Sequence, residues 1–280
     1  MPTREQIEQH YRLEKRLAAR IMNAAPEERS RVSLEAYDEL FATITWHDGH
    51  LRSEARRARV RRAYAPVLRL VGEGRDVLEL GCGNGDQMRI LGPRSRRCVG
   101  VDISETVLNH QPDMPANVEL LVQDATDLFA LEDASFDVAF SVQLVEHIHP
   151  EDIRRHLHEV SRVLRPGGRY ICETPNPFTG PHDISGHFDD TATCFHLKEY
   201  THRELLGLMR EAGFRRFRTP LFRQAMYERF PLVGRLGEVP GWMKCLSERA
   251  IAPLPRRQRS RLARMLRLSS VFVVAWKGEA

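Results

Sequence analysis

Asp76-Val77-Leu78-Glu79-Leu80-Gly81-Cys82-Gly83-Asn84-Gly85 is the stretch that decides the fold of this chain. Its first half reads as a short, largely apolar strand, and its second half carries three glycines in five residues. Glycine accepts backbone angles and close approaches that a Cβ forbids. The run therefore predicts a strand that turns tightly and lets a ligand lie against its main chain. In open α/β sheets ligands bind at the C-terminal ends of strands, and a helix N-terminus beyond the loop favours a negative ligand group such as a carboxylate. Two common binding loops are excluded. A dinucleotide fingerprint needs its third glycine one residue later, and Asp86 would set negative charge beside a pyrophosphate. No Gly-Lys-Ser/Thr follows, which removes the P-loop.

Working outward, further apolar strands are predicted at Cys98–Asp102, Val118–Val122, Phe136–Val142, Arg169–Thr174 and Phe214–Arg223, with Ser270–Lys277 closing the chain. Helical stretches lie between them, notably Pro150–Leu164, which Arg165-Pro166-Gly167-Gly168 closes, and His202–Glu211, with Thr201 as cap and Gly213 as stop. Strands alternating with helices imply βαβ units and a parallel sheet covered on both faces. The expected fold is α/β: a doubly wound, Rossmann-like, mostly parallel seven-stranded sheet whose last strand is antiparallel, plus a helical cap. Residues 1–71 form the N-terminal cap, with Ser33 as N-cap of its second helix and a turn at 46–50. Residues 72–223 form the core, 224–268 a helical insertion and 269–280 the last core strand.

The spacing Glu79-x-Gly81-x-Gly83-x-Gly85 resembles that of the class I methyltransferases, which use S-adenosylmethionine. Asp102 and Ile103 at the end of the second strand, Asp124-Ala125 after the third and Gln143 after the fourth match the family in kind and order. The resemblance covers about residues 72–222, with the last strand as the family's extra antiparallel edge. It implies S-adenosyl-L-methionine as cofactor, with Glu79, Gly81, Gly83, Gly85, Asp102, Ile103, Asp124, Ala125 and Gln143 as binding residues. Asp102 is then placed for the ribose hydroxyls, and Asp124 for the adenine amino group with the Ala125 backbone.

Methyl transfer from a sulfonium is an in-line displacement, so an enzyme of this class mainly aligns the acceptor and excludes water. A hydroxyl acceptor must also lose a proton, and histidine is suited to take it near neutral pH. His147 after the fourth strand is the expected general base, with Glu146 beside it and His196 as a further catalytic residue. Tyr37, Trp46, His182 and His187 are expected around the acceptor, the last two in the long loop 175–200. The expected activity is O-methylation of a small molecule. Alternatives are N-methylation of a small molecule, or a metal-assisted RNA 2′-O-methylation. Some relatives hold a divalent ion with Glu-x-x-Glu-His, but here Gln143 stands where the first Glu would be. An amide oxygen is a weaker ligand for a hard cation, so no metal is expected.

Composition bounds the partners. The 280 residues carry a net charge of +4, but residues 71–200 hold 11 basic and 22 acidic side chains, and residues 201–280 hold 17 and 6. The basic stripe Arg256, Arg257, Arg259, Arg261, Arg264 and Arg267 suits a solvated face or weak contact with an anionic surface. No RNA module or basic–aromatic interleaving supports RNA, and DNA is not expected. Five cysteines without a CxxC suit a reducing compartment. The longest apolar run, Val271–Trp276, is too short for a membrane helix, and the first residues open no signal peptide. A cytoplasmic protein acting on a small-molecule acceptor is expected.

Overall fold

The computed structural model describes residues 2–44, 64–108, 114–220 and 238–279. Trp46, the turn at 46–50 and the first part of the insertion, 224–237, lie outside the described residues.

The sheet grows from β1 (Asp76–Leu80), every residue of which is buried. Parallel neighbours flank it: β2 (Arg97–Asp102) and then β3 (Val118–Val122) on one side, β4 (Phe136–Val142) and then β5 (Leu164–Pro175) on the other. β8 (Ser270–Lys277) lies antiparallel to both β5 and β6 (Phe214–Pro220), and β7 (Glu238–Pro240) pairs antiparallel with β6. The order is β3-β2-β1-β4-β5-β8-β6-β7. Two expectations need correcting. The described sheet has eight strands, not seven. The C-terminal strand is interior, not an edge, because Val271, Val273, Val274 and Ala275 are apolar enough to be buried between β5 and β6.

Helices cover both faces. Residues 64–71 (α3) bury Val67, Leu68 and Val71 against β1, β4 and α4 (Asp86–Leu91), as the helical spacing predicts. On the other face α6 (Ile153–Val163) buries Ile153, His156, Leu157, Val160 and Val163, the i, i+3, i+4 stripe of an amphipathic helix. α7 (His202–Glu211) starts at a capping box between Thr201 and Glu204, and Gly213 leaves it at a positive φ of 98°. α5 (Glu105–Leu108) is one turn between β2 and β3.

The cap is α1 (Arg4–Met22) packed on α2 (Arg29–Thr43) through Leu13, Leu17, Ile21, Val32, Ala36 and Leu40. Ser33 does not cap α2. A turn at Pro26–Glu28 starts the helix at Arg29, which places Ser33 inside it. Arg29 is buried and paired with Glu151 and, at 3.0 Å, with Asp152, fastening the cap ahead of α6.

The insertion ends in α8 (Gly241–Ile251) and α9 (Arg256–Met265). Residues 238–240 are strand where helix was expected, because β6 exposes an edge that a short segment can pair. Buried Glu248 of α8 fastens the insertion to the core. Its carboxylate accepts from Asn176 Nδ2 (2.7 Å), His202 N (2.8 Å), His202 Nδ1 (2.8 Å) and Arg203 N (3.1 Å). Burial opposes its charge, but these donors outweigh that and hold its pKa below the usual value. Glu248→Ala would strand several buried donors, so the expected loss is about 3 kcal/mol of unfolding free energy. Urea melts would check this, with Glu248→Gln expected to lose less.

Candidate functional site

The site is built at the C-terminal ends of β1, β2, β3 and β4. Gly81, Gly83 and Gly85 all take left-handed backbone angles, with φ of 69°, 53° and 68°. Ordinary side chains resist that conformation, which explains the glycines. The amides of Gly81 and Cys82 both donate to the Val101 carbonyl, at 2.9 and 3.0 Å. Asp102 closes the loop from the next strand: Oδ2 accepts from Gly83 N at 2.8 Å, and Oδ1 accepts from Ser104 N at 3.0 Å. Ile103 is half-buried beside it.

Glu79 is buried in β1, and its Oε2 has no hydrogen-bond partner among the described residues. Burial raises its pKa well above the usual carboxylate value, and the charges of Asp102 and Asp86 add to this. The carboxyl groups around the loop thus offer hydrogen-bonding oxygens that suit hydroxyls.

Asp124, after β3, is engaged on both oxygens. Oδ1 accepts from Thr126 N at 2.7 Å, and Oδ2 accepts from Ser30 Oγ of the cap. The Ala125 carbonyl is also occupied: buried His156 donates Nδ1–H to it at 2.7 Å and faces Tyr170 OH with Nε2 at 3.3 Å. Gln143 is exposed, and its φ of 56° is strained for a non-glycine residue at the end of β4. The turn it opens touches the glycine loop directly, since a Cβ on Gly81 would lie 3.0 Å from Leu144 Cδ1.

That turn delivers Glu146 and His147 to the same edge. His147 donates Nδ1–H to the Phe195 carbonyl at 2.9 Å, which leaves Nε2 as the acceptor, 3.9 Å from Glu146 Oε1. Its side chain is 25% exposed, so the ring can be reached. Burial, with His196 adding to it, holds the His147 pKa down at about 3. Glu146 is fully buried: Oε2 accepts from Thr174 Oγ1 at 2.8 Å, while Oε1 has no partner among the described residues. Burial pushes its pKa up to about 7, against the opposing pull of His196. His196 stands edge-on to His147 with ring centres 5.1 Å apart, and donates Nδ1–H to Glu199 at 2.9 Å. Burial disfavours its charge, yet the Glu199 hydrogen bond and the charge of Glu146 leave its pKa raised. Ligand atoms of Glu146, His147 and His196 all lie within 4.8 Å of one another.

The cap and the long loop complete the surroundings. Tyr37 meets the His147 ring edge-on at 6.2 Å and the Phe195 ring at 4.7 Å, so it reaches the cluster. His182 is exposed, yet its backbone N–H donates to Glu199 Oε1 at 2.7 Å, the carboxylate that also holds His196. His187 is exposed beside Phe188, in the short turn Ile184–His187. Trp46 lies outside the described residues. Sequence reasoning missed Ser30, His156, Thr174 and Glu199. Only His156 carried a signal, as the polar member of the buried α6 stripe. Ser30 and Thr174 are brought in by segments far away in the chain, and Glu199 by the turn three residues beyond His196.

Residues 78–172 match the family model for a methyltransferase domain. The chain is 36% identical over 141 residues to the "Probable S-adenosylmethionine-dependent methyltransferase" of Mycolicibacterium smegmatis, covering 50% of this chain and 52% of that protein. It is 28% identical over 108 residues to the ubiquinone biosynthesis O-methyltransferase of Coxiella burnetii, covering 37% and 45%. The chain thus spans about half the length of the curated relatives it matches. A solved S-adenosylmethionine-dependent methyltransferase from Archaeoglobus fulgidus shares the fold, with TM-score 0.55 and 20% identity over 79% of this chain and 94% of that one.

The buried carboxyl of Glu146 makes stability depend on pH. Its folded pKa of about 7 exceeds the ordinary 4.5, so its stabilising proton is held below that value and lost as pH rises towards 7. Relative to Glu146→Gln, the unmutated protein should therefore lose up to about 3 kcal/mol between pH 4.5 and 8. Parallel urea melts of the two across that range test this; parallel curves would mean the carboxyl titrates normally.

Proposed function

The core of this chain belongs to the class I S-adenosylmethionine-dependent methyltransferases, and from that premise we propose that the protein methylates a hydroxyl of a small-molecule acceptor. The observation that carries the reading is the cluster of Glu146, His147 and His196 on a turn whose Leu144 packs against Gly81. An acid–base group thereby adjoins the family's donor loop.

The residues present fit the donor. When bound, S-adenosylmethionine supplies a methyl group already activated on a positively charged sulfur. Glu79, with its unpartnered buried oxygen, and Asp102 offer carboxyl oxygens to the polar groups of a nucleoside. Asp102 would accept from the ribose hydroxyls, with the glycine loop against the main-chain side of the donor. Asp124 would accept from the adenine amino group in place of Ser30, with Ala125, Ile103 and Gln143 around the ring.

On the acceptor side, His147 Nε2 takes the hydroxyl proton. The Phe195 carbonyl fixes its tautomer, and Tyr37 props the ring. A ring held near pKa 3 is a poor base alone. Glu146, 3.9 Å from Nε2, supplies the counter-charge, so the proton is taken by the pair. A neutral nitrogen already carries its nucleophilic lone pair, whereas a hydroxyl gains most from losing its proton, and the pair therefore favours oxygen over nitrogen. The similarity to an O-methyltransferase of ubiquinone biosynthesis supports the same choice. His182 and His187 would border the acceptor from the long loop. The acidic balance of residues 71–200 disfavours RNA.

A second reading, metal-assisted transfer, is favoured by the mutual approach of Glu146, His147 and His196 and by the unpartnered Glu146 Oε1. Two nitrogens and one carboxylate are a plausible set for a divalent ion. The exposed Gln143 contributes no further carboxylate.

His147→Ala is expected to cut turnover by about 10²–10⁴ while leaving donor affinity intact; equal losses in both would make His147 structural. Asp102→Ala should weaken donor binding by about 1–3 kcal/mol in calorimetry. Prolonged chelation should leave activity unchanged. Loss that is restored by a divalent ion, with the ion retained stoichiometrically in mass spectrometry, would replace the first reading with the second.

A further inference from the structure

The α8–α9 face carries a chemistry that the reaction does not use. A cleft of about 790 Å³ between α9 and the loop after β5 is lined by Arg256, Arg257, Arg261, Arg264, Ser260 and Thr179, among others. Among the described residues no carboxylate lines it. Among the described residues the ion pair found for these arginines is the one between Arg256 and exposed Asp190. Met265 also lines the cleft and is 71% exposed, and Leu266 follows it, exposed as well. Lys244 of α8 donates to the carbonyls of Leu266 and Arg267, at 2.8 and 3.1 Å, and so holds α8 to the end of α9. On its outward side α8 exposes Trp242 (56%), Met243 and Leu246 (55%). Solvated surface helices rarely spend tryptophan, leucine and methionine on their outer side.

We propose that this face seats the protein on an anionic phospholipid bilayer. The arginine cleft takes headgroup phosphates, and the exposed apolar side chains of α8 and α9 enter the interface. Arginine's planar fork suits phosphate oxygens, and an anionic leaflet attracts cationic side chains within a Debye length. Apolar side chains beside the cations add burial that a solvated phosphate ligand would not reward. Charge distribution gives the orientation. Residues 241–267, which form α8 and α9, carry 8 basic side chains and 1 acidic one, against 11 and 22 in residues 71–200, so an anionic surface attracts this face and repels the greater part of the core. A second copy on the same face would bring arginines against arginines. The cleft wall at Gly180 and Pro181 continues into His182, whose N–H reaches Glu199 and through it His196. A seated protein would therefore turn one wall of its candidate site towards the lipid. The inference is independent of the methyl-transfer reading, and its test measures no activity.

The full chain would be sedimented with phosphatidylcholine vesicles, with and without phosphatidylglycerol, at low and high salt. Binding is expected only to the anionic vesicles and should weaken with salt. Arg257→Gln, Arg261→Gln and Arg264→Gln combined should weaken it about 100-fold. Trp242→Asp with Leu246→Asp should weaken it at unchanged thermal stability. Tryptophan emission should shift to the blue on binding, and Trp242→Phe should remove the shift while keeping the binding. Any one of four results would overturn the proposal: no vesicle binding, equal binding to neutral vesicles, unchanged binding by the arginine variant, or glycerol phosphate competing as well as lipid. A dimer in light scattering that the Trp242→Asp, Leu246→Asp variant dissolves would instead make the face a self-interface and overturn it too.

Discussion

One hydrogen bond organises the candidate site: the Gly83 amide donating to Asp102 at 2.8 Å. It crosses from the loop after β1 to the end of β2, so a left-handed turn that would otherwise be loose is pinned to the neighbouring strand. The same carboxylate also receives Ser104 N, and the loop's first amides are held by Val101 on that strand. The loop is thus shaped by the parallel pairing of β1 with β2 before any ligand arrives. Leu144 passes that shape on by packing against Gly81. The turn after β4 that carries Glu146 and His147 consequently stands beside the glycine loop.

Two further ties set how the site is covered. The cap reaches Asp124 through Ser30 and His147 through Tyr37, so a single helix, α2, touches both ends of the candidate site. On the other side Glu248 fastens the insertion to Asn176 and to the start of α7. That leaves α8 free to turn Trp242 and Leu246 outward while its buried side holds Lys244 against α9. Buried polar groups, added to the apolar contacts of Phe195 with the cap and of Cys245 with the core, make these attachments specific in geometry.

The legible part of the fold was the part with a short-range cause. β3, β4 and β8 have the bounds that apolar runs predicted, and Thr201 caps α7 as its residue type requires. The glycines were legible because only a left-handed turn explains three of them in five residues. Ser33 misled because serine caps and serine inside a helix look alike locally; Pro26 decided between them by starting the turn earlier. The interior position of β8 was not legible. Its alternation of buried and half-buried residues suits an edge or an interior strand, and only pairing with both β5 and β6 distinguishes them.

By itself the sequence determined the strand–glycine–helix unit, the order of acidic residues after successive strands and the family that residues 78–172 match. These follow from local backbone preference and hydrophobic period, which act over a few residues. Tertiary structure alone decided that Phe195 and Glu199 orient the two histidines, that Thr174 and burial set the state of Glu146, and that Ser30 stands at Asp124. All but the Glu199–His196 pair, three residues apart, join segments that lie far apart in the chain. A hydrogen bond or a dielectric environment exists only once such segments have been brought together in space.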